Sequence, residues 1–238
     1  MVAQDVTLST SDGPMRAYDA HPDTAATTAI IVIPEAFGLN GHIEDVTERF
    51  AAAGHRAIGL DIFHRSGGGT APYDDFAKVL PLFEGLTDDG LLADIDGARA
   101  QLHADGLDDS AIGIVGFCFG GRTTFLAALH RPLGAAVGFY GGGIVTGRFP
   151  QFPPLVDQSA TLQAPWLGLF GDDDQSIPVD DVELLRSTLD AQTTVAHDVV
   201  RFAGAEHGFH CDQRPSYNRD AATDAWARTL AWFGEHLH

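Results

Sequence analysis

The sequence predicts an α/β fold: a mostly parallel central sheet with helices on both faces and an antiparallel hairpin at the N-terminus. Short apolar runs rich in β-branched residues alternate with stretches of helical period, the pattern of strands joined by crossover helices. The chain has 238 residues, 45% of them hydrophobic, enough to bury one large core, so residues 1–238 are expected to form a single domain. Near the N-terminus, two strand-like runs are separated by a short turn and not by a helix.

Val6 to Leu8 and Met15 to Tyr18 flank Asp12 and Gly13 and supply that hairpin. Ala29 to Ile33 is the next strand. From Ile43 to Ala53, Ile43, Val46 and Phe50 recur three and four residues apart and Gly54 follows, which describes a helix and its stop signal. Ala57 to Leu60 returns to the sheet. Ile62 to Thr87 is rich in Gly, Pro and acidic residues and weakly periodic, so it is expected to pass over the sheet and to touch substrate. A helix over Gly90 to Ala104 leads to strand Ala111 to Val115 and to a helix beginning at Gly120. Strand Ala135 to Phe139 enters a Gly/Pro-rich loop, strand Trp166 to Phe170 ends in an acidic loop, and a helix runs from near Pro178 to near Ala191. Val195 to Phe202 is the last strand. The final helix aligns Trp226, Leu230, Phe233 and Leu237 on one face, as core packing requires.

Composition narrows the function. A formal charge of -19 argues against nucleic acid, whose binders need a basic face to release counterions. The first residues, MVAQDVTLST, lack the basic and apolar regions of a secretory signal, and no apolar run approaches the roughly 18 residues that span a bilayer. A cytoplasmic protein that does not enter membranes is expected. Cys118 and Cys211 are the only cysteines, so no disulfide framework replaces the core and no CxxC pair suggests zinc.

Chemistry concentrates where the strand Ala111 to Val115 meets its helix. Gly116-Phe117-Cys118-Phe119-Gly120 is G-x-C-x-G, a nucleophile elbow with sulfur in place of a serine oxygen. The glycines allow a turn that lifts Cys118 clear of the sheet at a helix N-terminus, where the helix dipole favours a thiolate. An elbow calls for an acid after a later strand and a histidine after the last one. Asp172, Asp173 and Asp174 follow Phe170, and His207 follows Phe202. His207 would take the thiol proton and return it to the leaving oxygen, with one of the three carboxylates holding its ring.

On Glu35-Ala36-Phe37-Gly38-Leu39-Asn40, Gly116 to Gly121, the Gly171 to Pro178 loop and Ala205-Glu206-His207-Gly208-Phe209, the chain resembles the dienelactone hydrolase family over nearly its whole length. The resemblance implies an α/β-hydrolase fold and an ester- or lactone-cleaving enzyme without a cofactor. It selects Asp174, four residues before Pro178, as the acid. It gives Glu35 the task of interacting with the resting thiol and helping to form the thiolate. The N–H groups of Ala36 and Phe119 then become the expected oxyanion donors. Phe37, Tyr73, Tyr140, Phe209, His210 and Cys211 are candidates for the pocket wall. The spacing of His207, His210 and Cys211 is weak evidence for a metal, and none is assigned.

The sequence also departs from the family. Dienelactone hydrolase holds a substrate carboxylate with two arginines; the first position is Cys211 here, and Phe76 to Leu92 contains Lys78 but no arginine. One lysine or thiol does not replace a bidentate guanidinium. A preference for uncharged esters or lactones follows, unless Arg122, Arg148 or Arg214 folds toward the cleft. The expected partner is thus a small ester or lactone, and the chain a monomer or small homo-oligomer. A redox-responsive protein pairing Cys118 with Cys211 is the alternative reading.

Overall fold

A computed structural model describes residues 1–238. The hairpin is longer than its apolar residues suggest: β1 (Val2–Thr10) pairs with β2 (Gly13–His21) from Val2↔His21 to Thr10↔Gly13. Most of β1 faces solvent, so backbone pairing carries the strand beyond its few buried side chains. Next come β3 (Ala29–Ile33), α1 (Gly41–Ala52) and β4 (Arg56–Leu60). The excursion after β4 contains two 3-10 turns and a short helix α2 (Val79–Phe83) that buries Val79 and Phe83. The remaining elements are α3 (Asp88–Ala104), β5 (Ile112–Phe117), α4 (Phe119–His130), β6 (Ala135–Phe139), β7 (Trp166–Gly171), α5 (Val179–Gln192), β8 (His197–Phe202) and α6 (Arg219–His236). The last strand begins two residues later than expected because Val195 N–H turns back to the Thr193 hydroxyl at 3.1 Å.

The eight strands lie in the order β1-β2-β4-β3-β5-β6-β7-β8. β2 runs antiparallel to β1 and β4, and every other pair is parallel. All residues of β3, β5, β6 and β7 are buried, as expected for strands covered on both faces. Two glycines of β5 show that covering directly. A Cβ on Gly113 would meet Phe233 of α6, whereas one on Gly116 would meet Gly120 and Thr124 of α4. Residues three apart on a strand point to opposite faces, so α4 and α6 pack on opposite sides of the sheet. Helix starts follow their caps: Asn40, Thr87 and Asn218 accept from the N–H groups of Ile43, Gly90 and Ala221. No helix is long and apolar enough to cross a membrane.

The parallel strands β3, β5, β7 and β8 all point their C-terminal ends at one edge of the sheet. Glu35, Cys118, Asp174 and His207 follow those four ends in that order.

Candidate active site

Cys118 is the single residue between β5 and α4 and has φ 55 and ψ -113, a conformation that a side chain adopts only under strain. A Cβ on Gly120 would lie 2.4 Å from the carbonyl oxygen of Ile33, so the start of α4 sits against the end of β3. Cys118 N–H donates to Phe139 O at 3.0 Å and ties the elbow to β6. The thiol is left partly exposed on the floor of a cleft.

Of the three aspartates after β7, the fold brings Asp174 to the histidine. His207 Nδ1 donates to Asp174 Oδ2 at 2.6 Å, while the hydroxyl and N–H of Ser176 donate to Oδ1 at 2.7 and 2.8 Å. Burial alone would raise the Asp174 carboxyl, but these donors outweigh it and hold it below the ordinary carboxylate value. Asp172 instead pairs with Arg201 at 2.7 Å, and Asp173 is exposed on the cleft wall. With Nδ1 committed, Nε2 is the His207 nitrogen left for Cys118. Burial opposes a charged ring here, yet the neighbouring Cys118 and the hydrogen bond to Asp174 prevail and lift His207 to about 10.

Glu35, just beyond β3, is fully buried. Arg214 Nη1 donates to its Oε1 at 3.2 Å, and Oε2 has no partner. The Arg214 guanidinium also lies over the rings of Phe37 and Tyr73, 5.7 Å from each centroid. Beneath it, the Tyr73 hydroxyl accepts from Asn40 Nδ2 at 3.1 Å and from the Cys211 thiol at 3.4 Å.

The cleft has a volume of about 500 Å³. Ala36, Phe37, Tyr73 and Phe76 form one side, and Cys118, Ser176 and His207 line its base. A narrow chamber of about 50 Å³ opens beside Cys118 between Phe83, Phe119 and Phe149. Neither Ala36 N–H nor Phe119 N–H donates to a backbone carbonyl, and both residues border this chamber.

Phe37 and Tyr73 therefore stand where the pocket wall was expected. Tyr140, Phe209, His210 and Cys211 do not; they are buried beneath the floor. His210 stacks against Phe117 and Trp226, and burial drives it down to about 3, so it is a neutral core residue. Cys211 is pushed up to about 11 by burial and spends its proton on Tyr73, which gives no support to a redox pair with Cys118.

Three arginines were left open as neighbours of the cleft, and the structure separates them. Arg148 and Arg214 both line the cleft. Arg122 does not, being buried against Asp88 at 2.6 Å and the Pro153 carbonyl at 2.8 Å. Ser176 and Phe76 also went unnoticed in the sequence. A hydroxyl two residues after the acid was a usable signal for Ser176; nothing local marks Phe76.

An eight-stranded, mostly parallel sheet with a strand–turn–helix elbow on a central strand defines an α/β-hydrolase. The model of the dienelactone hydrolase family matches residues 15–237, and the chain belongs to that family. It is 38% identical over 231 residues to a Salmonella typhimurium LT2 protein named "Putative carboxymethylenebutenolidase", spanning 93% of this chain and 83% of that one. It is 35% identical over 238 residues to a Bradyrhizobium protein named "Probable 2-oxo-3-(5-oxofuran-2-ylidene)propanoate lactonase", spanning 98% and 94%. A crystal structure from Klebsiella pneumoniae, described as a "Putative Dienelactone Hydrolase", superposes with a TM-score of 0.89 at 37% identity over 98% of both chains.

Proposed function

We propose that this hydrolase cleaves a small carboxylic ester or lactone through a thioester on Cys118. The observation that carries the reading is the position of His207, fixed through Nδ1 by Asp174 at 2.6 Å and lining the same cleft as the elbow thiol. His207 holds the proton given up by Cys118, and the thiolate adds to the substrate carbonyl. The oxyanion forms at the free N–H groups of Ala36 and Phe119; one such donor is typically worth ~2.7–4 kcal/mol in the barrier. Collapse expels the alkoxide, which His207 protonates. Water, deprotonated by the same ring, then releases the acid and restores the thiol.

Glu35 interacts with the resting thiol and assists formation of the thiolate. Its full burial and unpartnered Oε2 support that role, because a buried carboxylate oxygen left without a donor otherwise only costs stability. The names of the relatives favour lactones.

A panel of p-nitrophenyl esters and small lactones tests the reading. Turnover dependent on Cys118, with a substrate-derived acyl adduct on that residue trapped by acid quench and seen by mass spectrometry, is expected. Undiminished turnover by Cys118→Ala overturns it.

A further inference from the structure

We infer that the chamber beside Cys118 is a subsite for the acyl part of the substrate, closed at a short apolar chain, and that Phe149 sets the length it takes. The inference rests on the hydrolase reading above and names the acyl group which that reading leaves open.

The chamber and the cleft meet at Cys118, and the polar residues that border the chamber, Arg148, Ser176 and His207, all line the cleft as well. What belongs to the chamber alone is Phe83, Phe119, Phe149 and Gly142, so its depth offers no hydrogen-bonding side chain. Phe83 comes from α2, Phe119 from the first turn of α4 and Phe149 from the loop after β6. Their rings pack edge to face, with centroids 4.8 Å apart for Phe83 and Phe119 and 5.8 Å for Phe83 and Phe149. Fully buried Phe152 backs all three at 4.9 to 6.4 Å. It is itself held, because Arg122 lies 5.3 Å from its ring centroid and is fixed in turn by Asp88 and the Pro153 carbonyl.

Two properties assign the chamber to the acyl side. Ala36 and Phe119, the oxyanion donors of the proposed reaction, border it, so a carbonyl carbon attached to Cys118 stands at its mouth. A leaving group also has to depart halfway through the reaction, and the cleft of about 500 Å³ gives it room, whereas a chamber of about 50 Å³ walled by rings does not. The acyl chain stays on the thiol until water arrives, and a closed apolar end can hold it there. With a water-sized group taking about 30 Å³, the chamber accepts about two methylenes beyond the α-carbon, each worth roughly fourfold in binding. Phe83, Phe119 and Phe152 are buried and Phe149 only partly so, which makes Phe149 the wall whose size can change without opening the core.

The test is a series of p-nitrophenyl esters from acetate to octanoate, read as kcat/KM. The native enzyme is expected to rise from acetate to butyrate and to fall at least about tenfold from butyrate to hexanoate, where the chain must displace rings. Phe149→Ala should raise the hexanoate-to-butyrate ratio by about tenfold, Phe149→Leu by less, and Phe149→Trp should move the drop to a shorter chain. In a parallel series of alkyl acetates, lengthening the alcohol from butyl to hexyl should change the rate by less than about threefold, since the open cleft sets no such limit. A native rate that keeps rising through octanoate, a hexanoate-to-butyrate ratio unmoved in both Phe149→Ala and Phe149→Leu, or a cut-off on the alcohol side instead would each overturn the inference and leave the hydrolase reading intact. Turnover of the butyrate ester that persists in Cys118→Ala would instead sink the hydrolase reading.

Discussion

A methyl group placed on Gly116 would lie 2.1 Å from the carbonyl oxygen of Gly120. The end of β5 and the first turn of α4 thus meet backbone to backbone, and neither can retreat, because Gly120 is itself pressed against the end of β3. Gly116→Ala should therefore destabilise the protein by at least ~2 kcal/mol, toward the upper part of the overpacking range. Urea unfolding measures it. A variant as stable as the native protein would show that the elbow can open.

Cys118→Ala should abolish ester turnover while changing stability little, since the thiol sits on the cleft floor and its Cβ remains. Cys118→Ser should also be severely impaired, because a hydroxyl is far harder to ionise. Cys118→Gly separates chemistry from strain. It removes the side chain held at φ 55 and should raise stability by about 1 kcal/mol while being equally inactive. Paired thermal unfolding and p-nitrophenyl ester assays decide all three, and a Gly variant less stable than the Ala one would refute the strain.

Asp174→Asn should lower kcat by on the order of 10³–10⁴-fold, as loss of the orienting carboxylate does in a Ser-His-Asp triad. Asp172→Asn gives up a partly exposed ion pair with Arg201, for which at most about 1 kcal/mol of stability is expected and no comparable rate loss. Asp173→Asn should change kcat less than tenfold. Steady-state kinetics on the three variants checks the assignment within one loop; a rate collapse in the Asp172 or Asp173 variant would move it.

His207 should titrate near pH 10 in the folded protein, followed through its ring signals by NMR. The sign for stability follows. A folded value above the ordinary 6.5 means that the charged ring's contribution is fully present below about pH 6.5 and is lost as pH rises through about 10. Asp174 works the other way: its lowered carboxyl contributes above the ordinary carboxylate range and loses that contribution as pH falls through its folded value. Cys118→Ala removes the thiol beside the ring and should bring the His207 titration down toward neutrality. An unchanged titration in that variant would separate the two residues electrostatically.

Local chemistry made much of this legible in advance. The elbow announces itself through Gly116 and Gly120 because one backbone geometry requires both, and the strand periods order everything around it. Which of three adjacent aspartates meets His207 is not a local property. It depends on the loop holding Asp172 against Arg201, and a family resemblance was needed to choose Asp174. Arg214 was hidden for a similar reason. Cys211 N–H bonds to Gly208 O at 3.0 Å and Arg214 N–H to Cys211 O at 3.1 Å, and these turns fold Arg214 back to Glu35 while Cys211 is buried. Tyr140 and Phe209 have the composition of pocket walls, but aromatic character alone does not tell a wall from the packing under the floor.

The order of the strands also sets a sequence in time during synthesis. β5 and its thiol leave the ribosome well before β7 and β8 exist, and both Asp174 and His207 lie in that later stretch. Until they arrive, the edge of β6 on which β7 and then β8 will pair is open. Cys118, Asp174 and His207 therefore come together only when the last parallel strands have docked, and the cleft they line belongs to the completed sheet alone.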